Sequence, residues 1–170
     1  MDGHIYLDYA ATTPIDQRVW EVMQPYFMDV FGNPSSIHRF GQQAEAAVSS
    51  ARETVAAVLN CRVDEVVFTS CGSESDNLAL RGIALSMREK RGASRIITCR
   101  AEHHAVSRTA EQLAGHYGFK VDWLDVDEYG MVTPAVVERL ISRDTAIVSV
   151  MYANNEIGTI NPIREIARVC

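Results

Sequence analysis

Short β-rich runs alternate with helical stretches along most of this chain, and that alternation leaves few folds open. "VVFTS" (66–70), "RIITCR" (95–100), "KVDWLDVD" (120–127) and "TAIVSVMYA" (145–153) are rich in β-branched and aromatic residues. Segments of roughly eight to eighteen residues with helical periodicity separate them. Connections of that kind join parallel strands, so the expected fold is α/β, a mostly parallel sheet with helices on both faces. The punctuation agrees. "LALRGIALSMREKRG" (78–92) ends at a glycine, and "TPAVVERLIS" (133–142) opens with Thr133 as N-cap and Pro134 at the first helical position. Two further helices are predicted upstream, one from about Asp16 to Phe31 and one from about Ser36 to Asn60, split by "FGNPSS". Parallel sheets of this type place ligands at the carboxyl ends of their strands.

The chain has 170 residues, 47% of them hydrophobic, and a net charge of -6 with 22 acids against 16 bases. One core of ordinary size is expected, and the acidic balance with no cluster of Lys and Arg argues against nucleic acid as a partner. "MDGHIYLDYA" has no basic region followed by an apolar core, and no stretch of about 18 apolar residues follows, so a cytoplasmic protein without membrane contact is expected. Cys61, Cys71, Cys99 and Cys170 lie far apart without CxxC spacing, which predicts reduced thiols and neither a disulfide framework nor a zinc site.

Three strand ends carry the chemistry. In "FTSCGSESDN" (68–77), Gly72 and Ser73 open a helix directly after a strand, where unpaired backbone N–H groups and the positive end of the helix dipole favour an anion such as a phosphate monoester. The same residues equally suit a plain helix start, with Ser73 as cap and Gly72 as turn. Neither GxxxxGK[ST] nor GxGxxG is present, which disfavours an NTP or a dinucleotide. The next strand end delivers Glu102, His103 and His104, where an imidazole can stack on a flat ring or shuttle a proton, or simply open a helix at the surface. The third places Asn154, Asn155 and Glu156 in a turn before Gly158, a place asparagine also occupies for its backbone tolerance alone. An anion cradle, an imidazole and an amide together suit an aromatic phosphate ester.

With these residues in place, the chain resembles the amino-terminal part of a cysteine desulfurase, within the class V aminotransferases that use pyridoxal phosphate. "YLDYAATTP" (6–14), "FGNPSSIHRFGQQAEAAV" (31–48), "VVFTSCGSESDNLAL" (66–80), "AEHHAV" (101–106) and "VSVMYANNEIGTINP" (148–162) match that family in order and spacing. The resemblance implies the large domain of a fold-type I pyridoxal phosphate enzyme, truncated, with residues 1–15 an arm that joins a small domain and 16–170 an incomplete cofactor-binding domain. It implies pyridoxal 5'-phosphate as cofactor, Gly72 and Ser73 at its phosphate, His103 stacked on the ring and assisting proton transfer, and Asn155 at its phenolic oxygen. It implies L-cysteine as substrate, a sulfur-acceptor or scaffold protein as partner in iron-sulfur cluster assembly or other sulfur-cofactor synthesis, and a homodimer when full length.

Departures from the family pattern matter as much. Cys71 stands where the family has glycine, Gly72 where it has alanine or glycine, and Ser73 where it has threonine; serine keeps the hydroxyl. The family's Schiff-base lysine and persulfide cysteine match nothing here. Lys90 and Lys120, the two lysines of the sequence, read as solvated surface residues, and Cys170 does not match the persulfide motif. This chain alone is therefore expected to be inactive. A selenocysteine lyase or another class V enzyme is the alternative within enzymes, and a non-catalytic fragment that needs a second polypeptide is the alternative outside them.

Overall fold

The computed structural model describes residues 3–170, so the first two residues of the expected 1–15 arm lie outside the described residues. The chain divides into two compact units, with the boundary between Phe68 and Thr69.

In the first unit, α1 (Gln17–Met23) begins at Asp16, whose carboxylate accepts from the Arg18 N–H at 2.8 Å, and α2 spans Pro25–Met28. The single helix expected over 16–31 is thus broken at Pro25, which has no N–H to donate and whose ring crowds the preceding turn. The long helix α3 (Arg39–Leu59) opens with His38, whose Nδ1 accepts from the Gly41 N–H at 3.3 Å. It closes at Asn60 in the left-handed conformation, φ 52°. Close approach explains two glycines of "FGNPSSIHRFG": a Cβ on Gly41 would lie 2.2 Å from the Ser36 carbonyl oxygen, and one on Gly32 would lie 2.1 Å from that of Phe40. The strand expected at "VVFTS" does not form. No ladder partner stands beside it among the described residues, and an extended run without a neighbour cannot satisfy its backbone groups as a strand does. The Arg52 guanidinium bonds the Val66 carbonyl instead and lies 4.9 Å from the Phe68 ring centre.

The second unit is the expected α/β arrangement. Its order is α4 (Gly72–Arg91), β1 (Arg95–Cys99), α5 (His104–Tyr117), β2 (Lys120–Leu124), α6 (Pro134–Leu140), β3 (Thr145–Val148) and α7 (Ile163–Val169). The three strands form a parallel sheet in the order β2-β1-β3, with Ile96 opposite Val121 and Ile147. Because β1 is central, both its faces are covered, and its residues run apolar with little alternation. Ile96 packs with Ala84 of α4 and with Ala110 and Leu113 of α5. Ile97 and Cys99 turn the other way, onto Val137 of α6 and Ile166 of α7. Alternate residues of one strand thus serve two cores, and the helices lie on both faces.

The strands stop sooner than their composition predicts, β2 at Leu124 and β3 at Val148. After β2, Asp127 turns the chain by accepting from the N–H groups of Tyr129 and Met131. After β3, Ser149 still donates to the Ile97 carbonyl at 2.8 Å before residues 150–158 leave the sheet. Parallel pairing brings the ends at Cys99, Leu124 and Val148 to the same edge of the sheet.

Candidate functional site

The strand-free run before α4 delivers Cys71 to the N-cap position with extended backbone and no side-chain capping bond. Gly72 and Ser73 are therefore the first two helical residues, and Ser73 is not the cap. No oxygen of the described residues accepts from the Gly72 or Ser73 N–H, and the Ser73 hydroxyl has no hydrogen-bond partner among them. A Cβ on Gly72 would meet no atom within 4 Å, so the helix end is open. Its geometry is set by the turn before it. The Glu74 carboxylate accepts from both the N–H and the hydroxyl of Ser70 at 2.6 Å, and these bonds hold it below the usual carboxylate range. Thr69 and Ser75 share a hydroxyl bond of 2.6 Å. The Cys71 thiol is also drawn down, first by the Glu74 backbone N–H and then by the Ser70 hydroxyl.

Asn77, one turn on, joins α4 to α5. Its Nδ2 donates to the Ser73 carbonyl at 2.9 Å, and its Oδ1 accepts from the buried Thr109 hydroxyl at 2.8 Å and from Arg81 Nε at 3.1 Å.

His103 caps α5: its Nδ1 accepts from the Ala105 N–H at 3.1 Å. In this rotamer the neutral ring carries its proton on Nε2, and its lone pair is engaged. His103 can take up a proton at Nδ1 only by releasing the Ala105 N–H; as a donor or a stacking face it is free. His104 lies beside it, ring centres 6.4 Å apart, with both rings exposed.

The two asparagines differ sharply. Asn154 is structural: Nδ2 donates to the Ala101 carbonyl at 2.9 Å, and Oδ1 accepts from the N–H groups of Glu156 and Ile157 at 2.8 and 3.1 Å. Asn155 is exposed, with one long contact of 3.4 Å to Glu156. Sequence reasoning missed Asn161 altogether. Its buried amide accepts from the Val132 N–H and donates to the Met151 carbonyl, both at 2.8 Å, and so steadies the start of the turn that carries Asn155.

Ser73, Asn77 and Arg81 of α4 face His103, His104 and Arg108 of α5 across an open cleft of about 690 Å³. His103 also lines a second hollow of about 340 Å³, with Glu102, Met151 and Asn155. Ser73, His103 and Asn155 therefore line adjoining hollows, with His103 common to both; Gly72 sits at the rim of the helix end and lines neither. The cleft is rich in basic groups, and with two N–H groups that meet no oxygen acceptor among the described residues and the Ser73 hydroxyl beside it, the arrangement suits an anion carried on a flat ring. No cluster of three metal-ligating side chains occurs among the described residues.

This is the architecture of one family. The model for aminotransferase class-V matches residues 5–170, and the chain belongs to that family. Among curated relatives, it is 44% identical over 169 residues to the cysteine desulfurase IscS of Dictyoglomus turgidum, covering 99% of this chain and 42% of the relative. Among solved structures, a NifS-like protein superposes with a TM-score of 0.89 at 42% identity, over 97% of this chain and 44% of that one. The structure of SspA in complex with cysteine superposes with a TM-score of 0.88 at 38% identity, over 96% of this chain and 46% of that one. The chain thus spans less than half the length of the proteins it matches.

Proposed function

We propose that this chain provides the amino-terminal, phosphate-cradling part of a cysteine desulfurase that binds pyridoxal 5'-phosphate. The observation that carries the reading is the open start of α4, whose Gly72 and Ser73 N–H groups meet no oxygen acceptor among the described residues and stand beside the cleft that His103 also lines. The donor set fits the cofactor: two backbone N–H groups and a hydroxyl for a phosphate dianion, an exposed imidazole for the ring, and the Asn155 amide for a phenolic oxygen. When bound, the cofactor supplies an electron sink next to the amino acid's α-carbon. Gly72 and Ser73 would anchor the phosphate, His103 would cover one face of the ring and donate through Nε2, and Asn155 would orient the phenolic side.

The reaction proposed for the whole enzyme breaks the C–S bond of L-cysteine. Its sulfur passes to a cysteine thiol of the enzyme, giving a persulfide and L-alanine, with the thiol's proton balancing the methyl group formed. The SspA structure with bound cysteine and the desulfurase relatives support that substrate. The same reading assigns residues 1–15 to an arm of a small domain and 16–170 to the large domain, in a cytoplasmic homodimer that hands sulfur to an acceptor for iron-sulfur cluster or sulfur-cofactor synthesis.

The test is cofactor titration of the full-length protein. Ser73→Ala removes a hydrogen bond to a charged group, about 1.5 to 3 kcal/mol, so affinity should fall on the order of tenfold to a hundredfold. Because Ser73 is not the N-cap and its hydroxyl makes no hydrogen bond among the described residues, the variant's melting temperature without cofactor should stay close to the parent's. Gly72→Val should weaken binding further by crowding the phosphate, with no clash in the free protein. Unchanged affinity in both variants refutes the cradle.

A further inference from the structure

Three side-chain bonds tie α4 to α5, and they advance along both helices in step. The Thr109 hydroxyl donates to Asn77 Oδ1 at 2.8 Å, Arg81 donates to the Gln112 side-chain oxygen, and Arg88 donates to the Tyr117 carbonyl. The two helices therefore run in the same direction and begin at the same end. Gly72 and Ser73 open one of them, and His103 caps the other. Asn77 lies five residues after Gly72, and Thr109 lies five after His104, the first residue of α5. The first tie thus stands level in both helices, about 7.5 Å from each start at 1.5 Å per residue.

This tie is polar where packing alone asks for apolar residues. Further along, the same two helices bring Ala84, Ala110 and Leu113 into one apolar cluster. Thr109 is 4% exposed, and among the described residues its hydroxyl bonds Asn77 alone. The Asn77 amide can face only one way: its Nδ2 donates to the Ser73 carbonyl at 2.9 Å and its Oδ1 accepts from Arg81 Nε at 3.1 Å. A carbonyl cannot donate and a guanidinium cannot accept. Such a network holds a definite register between its elements, which apolar contact does less sharply. Ser73, Asn77, Thr109 and His103 line one and the same cleft.

We propose that Asn77 and Thr109 are positioning residues of the site: their hydrogen bond fixes the spacing between the phosphate donors at the head of α4 and the His103 imidazole at the head of α5. The inference rests on the reading of Ser73 and His103 as cofactor residues, and it concerns how the two are held apart at the right distance. A compact ligand gripped at two points loses affinity when the points drift, although each point is intact. A ligand gripped at one point is indifferent to the drift.

Two probes separate these cases in the full-length protein freed of cofactor. Inorganic phosphate engages the head of α4 alone; pyridoxamine 5'-phosphate adds the ring but has no aldehyde to bond a lysine. Thr109→Val is the test variant, since it keeps the side chain's shape and leaves Asn77 Oδ1 its bond from Arg81. Affinity for pyridoxamine 5'-phosphate should fall on the order of tenfold and that for inorganic phosphate should change by less than about twofold, with Thr109→Ser close to the parent for both. In a His103→Ala background Thr109→Val should cost nothing further, because one of the two points is already gone. No loss for pyridoxamine 5'-phosphate, an equal loss with and without His103, or an equal loss for both probes overturns the proposal and leaves the readings of Ser73 and His103 standing. Failure of those readings shows in other variants: His103→Ala alone binding pyridoxamine 5'-phosphate as the parent does, or Ser73→Ala binding phosphate as the parent does. Either result removes the proposal with the reading. If Thr109→Val does not fold, Thr109→Ala decides by the same comparison.

Discussion

Cys71 shows how much a single residue's place can alter its chemistry. It is exposed at the start of α4, and the Glu74 N–H and Ser70 hydroxyl favour its thiolate, whereas burial pushes the Cys99 thiol up. Since the thiolate is the nucleophile, iodoacetamide at neutral pH should alkylate Cys71 first of the four cysteines and Cys99 last, with rates apart by at least about tenfold. A time course of peptide masses checks the order; equal rates would mean that Cys71 is an ordinary thiol. At this scale the sequence exposes residue types but not their bonds. Gly72, Ser73, His103 and Asn155 could be picked out because each follows a β-rich run. Nothing in "ANNE" separates Asn154, whose side chain makes three turn-holding bonds, from Asn155, whose side chain makes one long contact, because both tolerate the same backbone. The joining role of Asn77 was not legible, since its partner Thr109 lies 32 positions away.

At the scale of elements, Asn77 is the joint between α4 and α5. Asn77→Ala would leave the Ser73 carbonyl, Arg81 and the Thr109 hydroxyl without it, and Thr109 is 4% exposed. An unpaired buried polar group costs about 1 to 3 kcal/mol, so urea unfolding should show a loss of that order. A loss below about 0.5 kcal/mol would mean that water or a rotamer change replaces the joint. Helix ends were readable because glycine and proline act locally: α4 stops at Gly92 with φ 71°, and α6 starts at Pro134 behind Thr133, although the threonine side chain makes no capping bond. Strands were less readable, because a strand exists only with a neighbour. "RIITC" has one on each side and forms, whereas "VVFTS", of equal β character, has none among the described residues and does not. The break at Pro25 was visible in the sequence and was outweighed by the periodicity around it.

For the molecule as a whole, the α/β class follows from the alternation of elements and needs no long-range information. How the site is completed does need it. Lys90 lies in the last turn of α4, about 27 Å along the helix from Gly72 at 1.5 Å per residue. Lys120 is the first residue of β2, paired with Arg95, and so lies about 13 Å from the strand ends that carry the site. Neither lysine stands where an amine could join a cofactor whose phosphate rests on Gly72 and Ser73. A protein of these 170 residues, incubated with stoichiometric pyridoxal phosphate and reduced with borohydride, should therefore carry no selective label on either lysine and release no sulfide from L-cysteine. Selective labelling of Lys90 or Lys120, together with sulfide release that disappears when that lysine is changed to alanine, would show that the site completes itself within these residues. Addition of a polypeptide that supplies the remainder of a desulfurase relative should instead restore both the label, on its own lysine, and the release of sulfide.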